Sequence, residues 1–317
     1  MEENKTYISV VVPTFNEEEN VEELYKQILP IVQSYNRLFE IIFVDDGSSD
    51  NTLEELKKLE HVTIVEFRKN FGQTAALDAG IKIAQGELIV AMDADLQNDP
   101  ADIPQMIKRL NEGFDVVSGW RKNRKDCFSK KFTSRVANFL RKRLINDGIH
   151  DSGCTLKVYK RKCFDKVDLY GEMHRFMPAI LKLKGYKIGE IVVNHRSRVA
   201  GITKYNWKRT IKGLLDMMSI WFWKKYASRP LHLFGTIAFF LLAVGFVSGV
   251  WAVYLKLFLG NDLSDTMLTM LSMFCILIGV QFFVFGLLAD VLSKNYFAAT
   301  KDTPYDIKEI IRNERED

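Results

Sequence analysis

Hydrophobic and polar positions in the first half of the chain follow two alternating patterns. Short β-branched runs predict strands at Tyr7–Val12, Phe39–Val44, Val62–Phe67, Leu88–Met92 and Asp115–Ser118. Apolar residues at helical spacing predict helices between them, at Val21–Val32, Leu53–Leu59, Thr74–Ala84 and Ile103–Leu110. Strands that alternate with helices indicate βαβ units. The predicted fold class is therefore α/β, with a Rossmann-like, mostly parallel sheet and helices on both faces.

The last third of the chain has a different pattern. Leu233–Leu255 and Met267–Ala289 are each 23 residues long and contain no charged side chain. Roughly 20 residues at a rise of about 1.5 Å each are enough to cross the hydrocarbon core of a bilayer. Buried core helices are the alternative, but two uncharged segments joined by a short polar loop favour a transmembrane hairpin.

Composition agrees with this division. The 317 residues are 47% hydrophobic, which excludes a disordered chain, and 44 basic against 40 acidic residues leave a net charge of only +4. Four cysteines without paired spacing indicate reduced thiols and a cytosolic redox environment. No apolar signal segment precedes the first predicted strand, so we expect the first domain to remain in the cytoplasm.

Basic residues cluster in two stretches, ten between Arg121 and Arg143 and nine between Arg196 and Arg229. In the second stretch apolar residues recur at helical spacing, at Trp207, Ile211, Leu214, Met218 and Trp221, which predicts a helix lying on the membrane surface. The positive-inside rule then puts both termini in the cytoplasm. The predicted domains are a catalytic domain (1–205), an interfacial helix (206–230), two transmembrane helices (231–292) and a cytoplasmic tail (293–317).

Four predicted strands end in polar residues, beginning at Pro13, Asp45, Arg68 and Asp93. In extended chain, alternate residues point the same way, so Asp93, Asp95 and Gln97 would converge on one spot. Their oxygen atoms suit a hard divalent cation, Mg²⁺ or Mn²⁺. A solvated loop is the alternative, and Asp99 before Pro100 is expected to cap the next helix.

Two further strand ends have both a structural and a functional interpretation. Thr52 with Glu55, and Asn16 with Glu19, have the spacing of helix capping boxes. Caps do not explain the carboxylates of Asp45 and Asp46, which could accept hydrogen bonds from a nucleobase or ribose. The sequence lacks both GxGxxG after the first strand and GxxxxGK[ST], so the predicted nucleotide site is of another, metal-dependent type.

Taken together, these segments resemble family 2 glycosyltransferases of the GT-A fold. The matching motifs are Pro13-Thr-Phe-Asn-Glu17, Val44-Asp-Asp-Gly-Ser and Asp93-Ala-Asp. Four more segments resemble the polyprenyl-phosphate glycosyltransferases, namely Arg68-Lys-Asn-Phe-Gly72, Asp93-Ala-Asp-Leu-Gln97, Asp151-Ser-Gly-Cys-Thr-Leu-Lys157 and Arg198-Val-Ala-Gly-Ile-Thr-Lys-Tyr205. The stretch Ala289-Asp-Val-Leu-Ser-Lys294 departs from the bacterial members, which usually carry Gly-Glu-Tyr and then Gly-Arg there.

The resemblance implies inverting transfer of a monosaccharide from a UDP- or GDP-linked sugar to polyprenyl phosphate at the cytoplasmic face of the membrane. It implies a nucleotide site formed by Pro13, Thr14, Asn16, Glu17, Asp45, Asp46, Asp93 and Ala94. Asp93, Asp95 and Gln97 would hold the cation, and Asp95 and Asp151 would be catalytic. Asp151 matches the position of the family's general base, and a positioning role is the open alternative. Phosphate contacts would come from Arg121, Arg135, Arg198 and Lys204.

Two other functions are compatible with parts of the sequence. A processive polysaccharide synthase of the same family would carry a Gln-x-x-Arg-Trp motif and more spans, and this sequence lacks the motif. A non-catalytic, membrane-bound scaffold that binds nucleotide sugars would be expected to have a degraded metal motif, whereas Asp93, Asp95 and Gln97 are all in place. The expected partners are the sugar donor, the lipid acceptor and membrane lipids, with homo-oligomer formation left open and no nucleic acid.

Overall fold

The computed structural model describes residues 5–122, 148–165, 167, 169, 173–196, 207–227, 229–260, 262 and 267–300. The chain forms two compact units, which divide between Ile220 and Trp221. Arg135, Arg198 and Lys204, three of the predicted phosphate ligands, lie outside the described residues.

The first unit is built on one sheet of seven strands. The strands are β1 (Ile8–Thr14), β2 (Phe39–Asp45), β3 (Val62–Glu66), β4 (Leu88–Ala91), β5 (Val116–Trp120), β6 (Lys157–Lys160) and β7 (Ile188–Val192). Their order across the sheet is β3-β2-β1-β4-β6-β5-β7. Strands β1 to β4 are mutually parallel, whereas β6 runs antiparallel to both of its neighbours, β4 and β5.

Helices cover both faces of this sheet, because alternate strand residues point to opposite sides. The helices of the first unit are α1 (Val21–Gln33), α2 (Thr52–Lys57), α3 (Gln73–Ile83), α4 (Ile103–Asn111), α5 (Met177–Leu183) and α6 (Trp207–Tyr226), which ends beyond the division. On one face, α1 and α4 pack through Leu24 and Met106 against the Val10 side of the sheet. On the other face, α3 and α5 pack through Leu77 and Leu181.

Two long apolar helices make up most of the second unit. Helix α7 (Pro230–Leu259) and helix α8 (Met267–Thr300) are long and apolar enough to cross a membrane. They approach closely at Gly245, where the Ser272 hydroxyl donates a hydrogen bond of 2.6 Å to the Gly245 carbonyl. Large apolar side chains such as Phe246, which is 69% exposed, face outward. This is the pattern of a hairpin solvated by lipid.

The predicted fold class is confirmed, including the mostly parallel sheet, the helices on both faces and the apolar hairpin. The predicted strands and helices match the observed ones closely, but strands β6 and β7 were not predicted. The predicted interfacial segment contains helix α6, of which Met217 and Ile220 pack against Phe176 and Ala179. The domain boundaries and the interfacial role of α6 stay predictions.

Candidate active site at the carboxyl edge of the sheet

The candidate site lies where the strand order reverses. The chain runs outward from β1 to β3 and then returns to place β4 on the other side of β1. In open α/β sheets, ligands bind beyond the carboxyl ends of the strands at such a point. Because β6 is antiparallel, its amino end meets the same edge, and Lys157 lies opposite Ala91 in the register of β4 and β6.

Asp93, Ala94 and Asp95 follow β4 after one intervening residue, Met92. The strand ends at Ala91, and residues 94–96 form a bend in which Leu96 takes a left-handed conformation with φ of 58°. The expectation that this segment is extended is therefore wrong. The bend closes through a hydrogen bond of 3.2 Å from the Gln97 amide to Oδ1 of Asp95, while Ala94 packs in the core. Asp95 is buried, with 7% of its surface exposed.

Asp93 is held by donors from two other segments. Nε2 of Gln73 donates to its Oδ1 at 2.6 Å, and the Thr155 hydroxyl also donates to this carboxylate. Burial raises the pKa of Asp93 to about 6, and the neighbouring charge of Asp95 adds to this rise. The positive charges of Lys157 and Arg121 act in the opposite direction without cancelling it. Because the rise comes mainly from burial, a cation beside this carboxylate would offset the cost of keeping it ionised.

The donor set around these two aspartates fits a divalent cation that shares its coordination with a ligand. In the described part of the chain, no three His, Cys, Asp or Glu side chains are arranged to hold a metal ion. Mg²⁺ and Mn²⁺ at phosphate-transfer sites commonly use one or two carboxylates, with water and phosphate oxygens completing the shell. Asp93 and Asp95 can supply that pair.

Asp93 is part of the lining of a narrow cleft. Its polar lining comes from Gln73, Asp93, Thr155, Lys157 and His174, and its remaining walls from Pro13, Leu77, Ala91, Met92 and Tyr159. Of the predicted nucleotide-binding residues, the cleft brings Pro13 together with Asp93. Nδ1 of His174 lies 2.7 Å from the Thr74 hydroxyl inside the protein, which supports a structural role for this histidine.

The two carboxylates after β2 bind neighbouring backbone and side-chain donors. Asp46 accepts hydrogen bonds from Nδ2 of Asn70 at 3.0 Å and from the amides of Phe71 and Gly72 at 2.7 and 2.9 Å. Burial raises its pKa, and the two backbone hydrogen bonds partly offset that rise. Asp45 accepts from the amide and the hydroxyl of Ser48. Both aspartates therefore shape the site's loops.

The backbone conformation and close packing at position 47 require the glycine of the second motif. Its φ is +68°, and an added Cβ would lie 2.5 Å from the carbonyl carbon of Lys69. Only glycine combines this left-handed backbone with so close an approach. The motif residues of β2 and the segment 69–72 after β3 are thus packed together as one structure.

The first motif connects to the loop after β2 through long-range hydrogen bonds. The Asn16 carbonyl oxygen Oδ1 accepts from the Ser49 amide at 2.8 Å, and the Glu17 amide donates to the Thr52 hydroxyl at 2.8 Å. Thr14 is buried, with its hydroxyl donating to the Val44 carbonyl. Both predicted capping boxes are wrong, because helices α1 and α2 have Asn20 and Asn51 at their N-caps without a side-chain cap.

Arg121 and Asp151 form a partly buried ion pair at the end of β5. Nε donates to Oδ2 at 2.7 Å and Nη2 to Oδ1 at 3.0 Å, and the two side chains are 11% and 18% exposed. Burial alone would raise the pKa of Asp151, but hydrogen bonds and charge from Arg121 hold it below the usual value. Asp151 is therefore an ionised, already occupied carboxylate.

Lys157 is a functional candidate that sequence reasoning did not assign. It is 3% exposed and lines the cleft, and its ammonium donates to the Cys154 carbonyl. Burial lowers its pKa, while the charges of Asp151 and Asp93 act in the opposite direction. A lysine in a strand normally reaches solvent. The signal in the sequence was its position at the end of the motif that begins with Asp151.

The bend after β4 is also fastened to residues 194–196. Nη2 of Arg196 lies 2.7 Å from Oδ2 of Asp99, and the Arg196 amide donates to the Gln97 carbonyl at 2.9 Å. Asn98 pairs with His195 in an antiparallel bridge. Oδ1 of Asp99 accepts from the Ala101 amide, so its predicted capping role is confirmed.

Comparison with known proteins agrees with this geometry. The model of glycosyl transferase family 2 matches residues 9–168, and the model of the GtrB C-terminal hairpin matches residues 229–294. The chain is 40% identical to dodecaprenyl-phosphate galacturonate synthase of Rhizobium johnstonii, covering 96% of this chain and 92% of the relative. It is 31% identical to undecaprenyl-phosphate 4-deoxy-4-formamido-L-arabinose transferase of Salmonella choleraesuis, covering 96% and 93%.

Among solved structures, glucosyl-3-phosphoglycerate synthase of Mycobacterium tuberculosis, crystallised with Mn²⁺ and UDP-glucose, superposes with a TM-score of 0.55 at 18% identity. The match covers 70% of this chain and 79% of that chain, and it supports the fold alone. The chain belongs to glycosyl transferase family 2, in the group of polyprenyl-phosphate sugar transferases that carry a GtrB C-terminal hairpin.

Proposed function

We propose that this protein transfers one monosaccharide, with inversion, from a nucleotide diphosphate sugar to polyprenyl phosphate at the cytoplasmic face of a membrane. The observation that carries the proposal is the meeting of Asp93 and Asp95 with the Arg121–Asp151 pair at one sheet edge, in a chain that ends in an apolar hairpin. The relatives named for transferases of sugars to dodecaprenyl and undecaprenyl phosphate support the lipid acceptor.

The donor site is proposed along the carboxyl ends of β1, β2 and β4. Asp93 and Asp95 would hold Mg²⁺ or Mn²⁺, with Gln97 as a further ligand. The cation, when bound, neutralises charge that develops on the leaving diphosphate. The nucleoside would lie against Pro13, Thr14, Asn16 and Glu17 and the loop of Asp45 and Asp46. Since most of these side chains are already hydrogen-bonded to other residues of the protein, we expect recognition mainly through shape and backbone groups.

The acceptor would supply the nucleophile without a strong base. The second pKa of a phosphate monoester is near about 6, so the lipid phosphate is largely dianionic at neutral pH. One of its oxygen atoms forms a bond to the anomeric carbon from the face opposite the diphosphate. The bond between that carbon and the diphosphate oxygen breaks, and its electron pair leaves with the nucleotide diphosphate.

Within this scheme we favour a positioning role for Asp151. Its carboxylate accepts from two N–H groups of the Arg121 guanidinium, Nε and Nη2, and the same interaction lowers its pKa, which weakens it as a base. Asp151 would orient Arg121 toward the phosphates, and the buried ammonium of Lys157 would add positive charge. Arg135, Arg198 and Lys204 remain proposed phosphate ligands on the strength of the family motif.

The membrane orientation follows from charge. The basic segment that contains α6 precedes the hairpin, whereas the stretch between the two apolar runs carries one basic residue, Lys256 in the last turn of α7, and two acidic residues, Asp262 and Asp265. The positive-inside rule supports a cytoplasmic catalytic domain with both termini on the same side. Fusing a reporter that is active only outside the cytoplasm to residue 262 and, separately, to residue 317 tests this. Activity at residue 262 alone is expected, and activity at residue 317 would reverse the orientation.

The enzymatic proposal is tested with purified full-length protein, Mn²⁺ and a panel of labelled UDP- and GDP-sugars, using undecaprenyl phosphate in vesicles. We expect a single labelled sugar to enter the lipid extract, and EDTA to prevent this. A product carrying many sugars would instead indicate a processive synthase. Binding of a nucleotide sugar without any lipid product would favour the scaffold, and transfer that withstands EDTA would contradict the metal dependence.

A further inference from the structure

The Arg68-Lys-Asn-Phe-Gly72 motif and the residue after it lie between the two groups of site carboxylates. The amides of Phe71 and Gly72 bind Asp46, and the next residue, Gln73, begins helix α3 and binds Asp93. Four consecutive positions from Asn70 thus contact a carboxylate after β2 and a carboxylate after β4. A linker of this kind fixes the spacing of those two carboxylates.

We propose that Gln73 is a positioning residue for the metal-binding carboxylate of Asp93. This inference rests on the proposed metal dependence. Its Nε2 lies 2.6 Å from Oδ1 of Asp93. Side chains that hold a metal ligand in place typically contribute a factor of about 10 to 100 to metal affinity. A neutral amide suits this role, because it donates a hydrogen bond without adding a positive charge that would repel the cation.

A second donor also restrains Asp93. The Thr155 hydroxyl donates to the carboxylate and accepts from Nδ2 of Asn98 at 2.7 Å. Asn98 lies three positions beyond Asp95 and is 3% exposed. Gln73 and the Thr155–Asn98 pair therefore reach Asp93 from different segments of the chain. With two donors fixing the carboxylate, the deletion of one is expected to weaken cation binding rather than abolish it.

A structural role for Gln73 at the start of α3 is the competing explanation, and the two differ in a measurable way. Gln73→Met keeps the length and approximate volume of the side chain but removes the donor. The matched control is Gln105→Met, because Nε2 of Gln105 donates to Oδ1 of Asp102 over the same 2.6 Å. Gln105 lies in α4 and outside the cleft lining.

The experiment measures Mn²⁺ binding to the full-length protein in detergent, by loss of the free Mn²⁺ signal in electron paramagnetic resonance, with Mn²⁺ alone as the probe. Thermal unfolding without metal checks the fold of each variant. We expect Gln73→Met to weaken Mn²⁺ binding about 10- to 100-fold and Gln105→Met to leave it unchanged.

Three other results would overturn this inference. Wild-type affinity in Gln73→Met would remove the positioning role while leaving the proposed metal site intact. An equal loss in both variants would assign the effect to general destabilisation. Wild-type protein that binds no Mn²⁺ on its own would overturn the role of Gln73, whereas the proposed metal dependence of transfer is decided separately by the EDTA experiment. If Gln73→Met unfolds, Gln73→Leu replaces it, because leucine also removes the donor and adds no charge beside the cation.

Discussion

Arg121 and Asp151 meet through two parallel hydrogen bonds, Nε to Oδ2 at 2.7 Å and Nη2 to Oδ1 at 3.0 Å, across 30 positions of sequence. Such a fork restricts both side chains to one geometry and keeps the carboxylate ionised. Because the pKa of Asp151 is lowered, the stability that this ion pair contributes is present above about pH 4 and is lost only as the pH falls below that.

Asp151→Asn should therefore lower sugar transfer at least about tenfold without changing the shape of the pH–rate profile between pH 5 and 8. The substitution leaves Arg121 without its counter-charge, and we expect a loss of about 3 kcal/mol in unfolding free energy. Glu112→Gln is the control, because it breaks an exposed Arg–carboxylate pair with Arg109. If the acid limb disappears in Asp151→Asn, Asp151 is the titrating base.

Asp95→Asn should abolish sugar transfer to a short polyprenyl phosphate and should remove Mn²⁺ binding, while the protein stays folded. An amide oxygen is a far poorer ligand for a hard cation than a carboxylate. Asp99→Asn provides the same chemical change four positions later in the same segment, and asparagine can still cap the following turn. Retained transfer in Asp95→Asn would contradict the metal assignment, as would equal Mn²⁺ loss in both variants.

Mn²⁺ binding should depend on pH through Asp93. Burial raises the pKa of Asp93 to about 6. Without metal, the fold therefore favours the protonated side chain, and the free energy of folding gained from this protonation is complete below about pH 4 and is lost as the pH rises through 6. Cation binding needs the ionised carboxylate, and the affinity should fall about tenfold per pH unit below 6.

The measurement for Asp93 is the shift in thermal midpoint caused by Mn²⁺ at each pH from 5 to 8. We expect this shift to increase with pH and to level off above 7. Metal binding is a better readout than turnover, because the acceptor phosphate also titrates near about 6. A Mn²⁺ shift that is the same at pH 5 and pH 8 would count against Asp93 as a ligand.

Asp46→Asn should destabilise the protein by about 1 to 3 kcal/mol, because the carboxylate receives three hydrogen bonds from the 70–72 segment and an amide group cannot accept all of them equally. Chemical unfolding of the metal-free protein provides the measurement. The prediction from the sequence is different, with Asp46 contacting the nucleotide. An unchanged unfolding free energy together with weakened nucleotide binding would favour that direct contact over the structural role.

Gly245→Ala should loosen the hairpin. An added Cβ would lie 2.7 Å from Cγ1 of Ile276 and 3.1 Å from the Ser272 carbonyl oxygen, so helices α7 and α8 would have to separate. Overpacking of this size costs about 1 to 3 kcal/mol. The control is Gly235→Ala in the same helix, where the nearest atom would be 3.9 Å away. Thermal unfolding in detergent should distinguish them, and equal midpoints would contradict the close packing at Gly245.

The overall fold was predictable because its signals are local. Apolar runs of the right length and spacing mark β1 to β5 and the hairpin, and the polar strand ends mark the edge where the site lies. The family motifs indicated which of these residues could bind a nucleotide sugar and a cation. Strand β6 was missed because it contains Lys157, a residue that normally indicates solvent exposure and is here buried beside the cleft.

The errors concern interactions that no local pattern contains. Asn16 and Thr52 have the spacing of capping boxes, but their side chains bond to partners more than 30 positions away. The segment from Asp93 to Gln97 was expected to be extended, because a left-handed backbone is rare for a leucine. In the structure, Leu96 takes this left-handed conformation, which the surrounding contacts impose. Side-chain positions at the site depend on such contacts, so they required the three-dimensional structure.

The antiparallel direction of β6 places the end of β5 and the start of β6 at the same edge of the sheet. The Arg121–Asp151 ion pair joins the residue directly after β5 to a residue six positions before β6. It therefore ties the two strands together at the site, and a substitution that breaks it is expected to displace Arg121 and Lys157 together rather than one at a time.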